Sequence, residues 1–377
     1  MTTMTTLDIT PIVKDSIETK QGVLEFTIKN VNVSIVNGLR RTLLTNIPSS
    51  VIDSRQSEFY TNTGRLHNEI LKQRLDCIPV HIKDTSVLSD LLLEVNMTND
   101  TDMLMYLTTK DFKIKNISTD TYLTDEAVEK IFPANKLTKC FVLFSRLRPK
   151  ISNDIPGEKL HFTARFKEGT AKENGAYNVV SIAAYANSPD KGRQAEQWDQ
   201  IEENLQKRGV NQKDIDYERK NWYTLGAKRI YLKDSYDFKC QSVGVYSNLE
   251  LIQLACDKIK EQLQDVHDKC SSQIYEINMR STAMKNSADF ILQGYDYTIG
   301  KIIEYVLHEE YYKGKEGSDS PLSYVGFIKN HPHDEHSIIR FAFKEEDEFN
   351  KENIYNLIMY SCMKAQELYD AIKEYFV

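Results

Sequence analysis

Four residues near the C-terminal end of the sequence have the types and spacing of a metal site. His331, His333, Asp334 and His336 lie within six positions, and imidazole and carboxylate groups on one loop can bind a transition metal ion. Pro332 favours another interpretation, because proline is common in turns and the histidines would then belong to a solvated turn. We adopt the turn and predict no metal.

Other candidate chemistry is sparse. Asp53, Glu58 and the acidic run at 345–348 have no basic partner beside them in the pattern. The sequence contains six cysteines, of which no two lie within four positions, so a CxxC-type zinc or redox motif is absent. Scattered thiols are typical of small buried residues in a reducing compartment. P-loop, HExxH, GxSxG and Rossmann motifs are also absent. We therefore predict no catalysis and no cofactor.

Arg40 and Arg41 are candidates for binding instead. They lie beside and behind the apolar face of a predicted helix over 33–48, for which Asn32 is a suitable N-cap and Pro48 a stop. Two adjacent guanidinium groups can bind carboxylates or backbone carbonyls of another protein. The pattern indicates an interaction surface.

Composition supports a folded binding protein. The 377 residues are 41% hydrophobic and 27% charged, which is enough for two or three domains with buried cores. The formal net charge of −7 argues against an autonomous nucleic-acid binder. The short basic clusters at 146–150 and 228–229 are interpreted as solvated faces. No apolar run approaches the ~18 residues of a membrane span, and the first residues do not resemble a signal peptide.

Periodicity predicts one order of elements twice: strand, short helix, strands and a long closing helix. Helices are predicted at 33–48, 66–77, 248–266, 297–309 and 351–375, with Thr298 as the N-cap of the fourth. Strands are predicted at 8–31, 49–60, 90–107, 140–144, 159–166, 178–185, 237–245, 289–292, 323–328 and 337–343. The polar segment at 188–221 permits a surface helix pair or a mobile excursion, and 314–320 is predicted as a loop.

The helices at 33–46 and 298–309 are predicted to meet near a pseudo-twofold axis, with the two long helices beside them. Their apolar stripes would form one dimerisation core, made by Ile35, Val36, Leu39, Leu43, Ile252, Ile259, Leu263, Ile299, Ile302, Ile303, Val306, Leu357 and Leu368.

The first copy resembles the larger α-like subunits of multisubunit RNA polymerase. V-N-G-L-R-R-T-L-L-T-N-I-P, with Asn37 in the motif, is similar to the family's N-terminal segment, and so is R-L-H-N-E-I-L-K-Q-R-L-D-C-I-P-V, with Glu69, Arg74 and Pro79. The segment at 164–177 is similar to the one in which the family's chain returns from the insertion domain. The segment at 236–244 is similar to the family's final strand before the closing dimerisation helix. Val36 stands where the family usually has alanine. The cysteine cluster that some members carry is missing, so the resemblance also implies no metal.

The second copy resembles the smaller α-like partner. Y-D-Y-T-I-G-K-I-I-E-Y-V-L matches its D-x-T-x-G helix start at Asp296, Thr298 and Gly300. S-Y-V-G-F-I-K-N-H-P-H matches its G-Y-x-x-x-H-P core, with phenylalanine in place of tyrosine. The remaining matching positions of this core are Gly326, His331 and Pro332.

The resemblance implies an α+β fold in which two α-like dimerisation modules of antiparallel strands and packed helices form an intramolecular pseudo-dimer. The larger module would comprise 1–52 and 179–266, with a mostly β insertion domain at 53–178. A linker at 267–285 would lead to the smaller module at 286–377.

The implied function is that of a non-catalytic assembly platform of a DNA-directed RNA polymerase. One copy, without homodimerisation, would bind the largest and second-largest subunits and a small platform subunit, with little or no nucleic-acid or membrane contact. Arg40, Arg41, Glu69 and Arg74 would face the second-largest subunit, although Glu69 and Arg74 could equally be a helical surface pair. Fusion of the two subunits resembles the arrangement in RNA polymerases of large cytoplasmic DNA viruses. It therefore implies a location in the viral factory and the virion, or alternatively in the nucleus. A stand-alone scaffold or regulatory protein with the same fold stays open.

Overall fold

The computed structural model describes residues 10–136, 138–152, 155–279, 284–313 and 320–377. The expectations for the first nine residues, and the predicted loop at 314–320 apart from Ser320, lie outside these residues. The chain divides into two compact units. The first comprises the residues up to Thr42, Ile182–Gln241 and Ile252–Val377, and the second comprises Leu43–Ser181 and Ser242–Leu251.

The described residues form a mixed α and β fold with antiparallel sheets. The helices are α1 (Val33–Thr45), α2 (Asn68–Asp76), α3 (Asp125–Ile131), α4 (Lys191–Lys207), α5 (Gln212–Thr224), α6 (Asn248–Ser271), α7 (Tyr297–Leu307) and α8 (Lys351–Glu374). The strands are β1 (Ile12–Glu18), β2 (Leu24–Lys29), β3 (Pro48–Asn62), β4 (Leu91–Thr98), β5 (Met105–Thr108), β6 (Lys113–Asn116), β7 (Thr121–Tyr122), β8 (Leu143–Leu147), β9 (Lys159–Thr170), β10 (Val180–Pro189), β11 (Tyr231–Ser242), β12 (Ile277–Asn278), β13 (Ser287–Gln293), β14 (Leu322–Ile328) and β15 (His336–Phe343).

Two four-stranded sheets of the first unit have the same topology. Their strand orders are β1-β2-β11-β10 and β12-β13-β15-β14. In each sheet the second strand leads into a short helix, α1 or α7, and the third leads into a long helix, α6 or α8. The repeated order of elements that periodicity predicts is therefore present in the fold.

The two short helices begin with the same local geometry. The Ser34 amide donates to the Asn32 side chain at 2.9 Å, and the Thr298 amide donates to the Asp296 side chain at 3.0 Å. A side-chain oxygen at this position satisfies an amide that has no partner within the helix. The prediction that Asn32 caps α1 is confirmed, whereas the assignment of Thr298 as the N-cap of α7 is wrong, because Asp296 has that role.

The second unit is mostly β. Its sheet has the order β3-β9-β4-β6-β7, and β5 pairs with β8 in a two-stranded sheet. Alternate residues of β9 are buried in its core, which explains why strict alternation predicts this strand correctly. The predicted insertion domain at 53–178 lies within this unit, which begins at Leu43 and also takes in Ser242–Leu251.

Three local predictions need correction or refinement. The polar segment at 188–221 folds as the helix pair α4 and α5, with Asp190 and Asn211 as side-chain caps. The predicted linker at 267–285 contains the last turn of α6 and the strand β12, and residues 280–283 lie outside the described part. The strand-like stretch at 90–107 contains β4 and the beginning of β5, separated by a turn.

The cysteines divide into two classes. Cys240, Cys256, Cys270 and Cys362 are buried, as expected. Burial raises the pKa of the Cys256 thiol to about 12, so this side chain stays neutral and unreactive. Cys77 and Cys140 are exposed, so the prediction of buried thiols is wrong for these two.

Candidate assembly surface

Gly38 lies where α1 packs closely against side chains of α7 and α8. A Cβ atom added at Gly38 would lie 2.6 Å from the Tyr369 hydroxyl oxygen and 2.8 Å from Ile302 Cδ1. The Tyr369 hydroxyl donates to the Ile35 carbonyl oxygen at 2.9 Å, and this tyrosine is fully buried. The close approach therefore requires glycine on α1, and α8 contributes a polar anchor beneath it.

The long helices α6 and α8 pack antiparallel, and a row of polar contacts fixes their register. The Gln253 side chain donates to the Phe376 carbonyl oxygen at 2.5 Å. The Lys373 ammonium lies 2.6 and 2.8 Å from the two Asp257 carboxylate oxygens. Further along the pair, Lys260 contacts Asp370, and the Gln366 amide donates to Gln264 at 3.0 Å and to the Lys260 carbonyl oxygen at 3.1 Å.

The apolar faces of these helices are buried. All thirteen residues assigned to the dimerisation core are at most 9% exposed. Burial of this kind supplies most of the stability of a helix packing layer, at about 25 cal/mol for each Å² of apolar surface removed from water.

Arg41 connects α1 with the beginning of α7. Its Nε donates to the Thr298 hydroxyl oxygen at 2.7 Å, and its Nη2 lies 3.1 Å from Asp296 Oδ2. Asp296 uses its other carboxylate oxygen to cap α7. One guanidinium group thus contacts both motif residues at the start of the second copy, which indicates a role within the chain that the sequence pattern did not reveal.

Replacing Asp296 with asparagine is expected to remove the ion pair with Arg41 and to keep the cap of α7, so the two contributions to stability can be measured separately. Asparagine caps a helix as well as aspartate does, so only the ionic interaction with Arg41 is lost. Because both side chains are more than one-third exposed, we expect a loss in the free energy of unfolding below about 1 kcal/mol. Asp296→Ala should cost about 1 kcal/mol more, through loss of the cap. Urea unfolding of both variants, alone and combined with Arg41→Ala, gives the coupling energy between positions 41 and 296. Equal losses for Asp296→Asn and Asp296→Ala would contradict separate contributions from the cap and the ion pair.

The other predicted partner-binding residues are not gathered around Arg41. Arg40 is half-buried, and its Nε donates to the Asn37 side chain at 3.0 Å within α1. Glu69 is exposed on α2. Arg74, on the same helix, donates to the carbonyl oxygens of Leu143 and Phe144 at 2.6 and 2.8 Å. Arg74 therefore contacts β8, and the two alternatives for Glu69 and Arg74, a partner contact or a helical surface pair, stay predictions.

The remaining motif positions have separate structural roles. Gly300 lies against Phe327, since an added Cβ would come within 1.9 Å of that ring. Gly326 is crowded in the same way by the Tyr324 side chain, at 2.4 Å from its hydroxyl oxygen. Pro79 is half-buried after α2.

The histidine cluster forms a turn. The His331 amide donates to the Asp334 carboxylate at 3.0 Å, and the His333 amide lies 3.2 Å from His331 Nδ1. These side chains are thus occupied with local backbone contacts, and Pro332 is exposed. Within the described ranges, no group of three or more histidine, cysteine or acidic residues is arranged to hold a metal ion.

The sequence matches the family described as the RNA polymerase Rpb3/Rpb11 dimerisation domain over residues 25–263, which is more than half of the chain. The chain belongs to this family. The matched residues begin in β2, include α1 and end in α6, so the Rpb3/Rpb11 domain covers the second unit and the first copy apart from β1 and the end of α6.

Individual relatives are more distant. DNA-directed RNA polymerase subunit Rpo3 of Pyrococcus horikoshii is 22% identical over 62% of this chain and 87% of its own length. Rpo3 of Pyrococcus furiosus is 41% identical over 17% of this chain and 24% of its own length. A conjugation stage-specific protein of Tetrahymena thermophila is 25% identical over 44% of this chain and 56% of its own length. The chain thus spans only about half or less of these last two relatives.

Sequence reasoning missed several residues of this Rpb3/Rpb11-type helix layer. Gly38 and Tyr369 were not singled out, although a glycine in the middle of an apolar helix is a signal of close approach. The partners of Asp257 and Lys260 could not be inferred, because a contact between helices more than a hundred residues apart leaves no local pattern. Asp53 was assigned no basic partner, whereas Arg55 Nε lies 3.6 Å from its carboxylate.

In the described part of the chain, no helix is both long enough and apolar enough to cross a membrane.

Proposed function

We propose that this chain is a non-catalytic assembly subunit of a DNA-directed RNA polymerase, in which two α-like halves pair within one polypeptide as a pseudo-dimer. The observation that carries this proposal is the repeated topology of the two sheets, combined with the antiparallel packing of α6 on α8. Membership in the Rpb3/Rpb11 dimerisation family supports the α-like assignment of the N-terminal half of the pseudo-dimer.

The buried helix layer supports a permanent association of the halves. Its apolar core and polar register contacts resemble an obligate interface, in which a large apolar surface is covered in the assembled state. Joining the halves in one chain also raises their effective concentration for each other. One copy of the chain would therefore replace two separate subunits.

The proposed partners are the largest and second-largest polymerase subunits and a small platform subunit. We assign Arg40 and the exposed Glu69 to contacts with the second-largest subunit, with Arg41 and Arg74 contributing mainly through contacts within the chain. The union of both halves in one polypeptide also supports a large cytoplasmic DNA virus as the source, and hence the viral factory and virion as the location, with the nucleus as the alternative.

Affinity purification of the tagged chain, followed by mass spectrometry, tests the assignment. We expect the two catalytic subunits to be recovered with one copy of this chain. Recovery of the chain alone, as a free monomer, would favour a stand-alone scaffold or regulatory protein instead.

Charge reversal at Arg40 is expected to weaken recovery of the second-largest subunit by about tenfold or more, because an interfacial cation would be replaced by an anion. Stability should be almost unchanged, since the hydrogen bond that Arg40 Nε donates to Asn37 lies within α1 and joins no other element of the fold. Arg41→Glu should lower recovery and also stability, because it faces Asp296. Lys130→Glu, an exposed reversal on α3, is the matched control. Normal recovery with Arg40→Glu would remove this residue from the proposed interface.

A further inference from the structure

The corner between α5 and β11 has a composition unlike the rest of the chain. From Tyr217 to Lys233 the sequence contains five basic residues and one acidic residue, in a protein of net charge −7. All five cations are exposed: Arg219, Lys220, Lys228, Arg229 and Lys233. Five large apolar or aromatic side chains of the same stretch are exposed by 40% or more: Tyr217, Tyr223, Leu225, Tyr231 and Leu232. We call these ten residues the corner patch.

The corner patch is presented by an ordered scaffold. The buried Gln194 of α4 donates from Nε2 to the carbonyl oxygens of Ala227 and Ile230 at 2.8 and 2.9 Å. Gly226 lies flat on the Trp222 ring, since a Cβ there would come within 2.5 Å of it. The chain leaving α5 is thereby held against α4, and Leu225, at 64% exposure, is directed to solvent instead of the core.

Such a concentration of exposed apolar groups indicates binding. Single exposed apolar residues are ordinary, but several within one stretch, interleaved with charges that are mostly of one sign, mark interaction surfaces. On α5, Tyr217 and Lys220 are three residues apart and therefore share one face, as do Lys220 and Tyr223.

We propose that the corner patch docks an acidic protein segment that carries aliphatic or aromatic side chains. The five cations complement carboxylates, as the 4.0 Å contact of Lys233 with the Asp234 carboxylate illustrates, and Leu225 and Leu232 offer exposed aliphatic surface for apolar side chains. This partner is distinct from those assigned to α1, and the inference does not rest on the polymerase function.

A protein partner suits this surface better than a nucleic acid. Single-stranded nucleic acid is bound by stacked aromatic rings along a continuous basic groove. Here the cations occur as two dipeptides and a single lysine, and the patch is bordered by the acidic residues Asp214, Asp216 and Asp234. Two of its five apolar members are leucines, which offer no ring for base stacking.

Fluorescence polarisation with the full chain tests the proposal. The probe is a fluorescein-labelled peptide in which Asp-Glu pairs alternate with Phe and Leu, at about 0.1 M salt, where long-range attraction is screened. We expect binding that weakens about tenfold or more with Lys228→Glu plus Arg229→Glu, and similarly with Leu225→Ser plus Leu232→Ser. These side chains are exposed, so the fold should persist, as checked by circular dichroism and thermal unfolding.

The matched control is Lys207→Glu plus Arg208→Glu, a basic dipeptide at the α4–α5 turn, which the length of α5, about 20 Å, separates from Lys228 and Arg229. It should leave binding unchanged. A peptide with serine in place of Phe and Leu should bind much more weakly. The proposal is overturned if the wild-type chain does not bind the probe, if the control pair weakens binding equally, if the serine peptide binds as tightly, or if oligo(dT) displaces the probe.

Discussion

Replacing Gly38 with valine is expected to lower the free energy of unfolding by about 2–3 kcal/mol. The first added carbon alone would lie 2.6 Å from the hydroxyl oxygen of the fully buried Tyr369 and 2.8 Å from Ile302 Cδ1. Overpacking of this kind typically costs about 1–3 kcal/mol, and it exceeds the fraction of a kcal/mol that valine gains over glycine in helix propensity. Urea unfolding monitored by tryptophan fluorescence and circular dichroism measures the loss.

A smaller change identifies which neighbour causes the strain. Gly38→Ala should become less costly when Tyr369 is replaced by phenylalanine, because the hydroxyl group nearest the new methyl is removed. Tyr369→Phe alone should cost about 1 kcal/mol through loss of its hydrogen bond to Ile35. Gly175→Ala, where an added Cβ meets nothing within 4 Å, is the control and should change stability by less than about 0.5 kcal/mol. Strictly additive losses at Gly38 and Tyr369 would contradict the proposed contact.

Dividing the chain after Ile274 is expected to give two fragments that fold only together. The first fragment would end just after α6, and the second would contain β12 and the rest of the second copy. Each would expose one side of the helix layer when alone, so we expect aggregation or incomplete folding. Co-expression should yield a complex that survives dilution to about 10 nM, as expected for an obligate interface. Co-purification and sedimentation measure both results.

The ion pair between Asp257 and Lys373 provides a control for specific association. Asp257→Lys should weaken association of the fragments, because it places two ammonium groups about where the 2.6 Å ion pair lies. Adding Lys373→Asp restores opposite charges and should recover most of the loss. Two independently folded fragments that do not associate at micromolar concentrations would exclude the pseudo-dimer.

Local patterns were sufficient to predict most elements of the fold. The 3.6-residue spacing in α1, α6 and α8 and the alternation in β9 depend on which face is buried, and this property is written in consecutive residues. The prediction of Thr298 as the N-cap of α7 was wrong because both Asp296 and Thr298 have side chains that can cap a helix. Only the backbone geometry distinguishes them.

The candidate surface was less predictable because it depends on contacts between distant residues. The adjacent arginines look equivalent in sequence, yet Arg41 contacts Asp296, whereas Arg40 contacts Asn37 within its own helix. Similarly, the polar segment with few apolar anchors permitted two interpretations, and the buried Trp198 of α4 helps to fix it as a helix pair. Contacts between residues that are distant in the sequence determine these structures, and no pattern of neighbouring residues predicts such contacts.

The charge order along α6 and α8 also protects the pair against register errors. In the observed alignment, Asp257 faces Lys373 and Lys260 faces Asp370. Sliding α8 by three residues in one direction would place Asp257 opposite Asp370, and the same slip in the other direction would place Lys260 opposite Lys373. Both slips lose the two observed ion pairs and bring one pair of like charges together. The first slip also places Lys260 opposite Glu367, so the charge order opposes the second slip more strongly than the first.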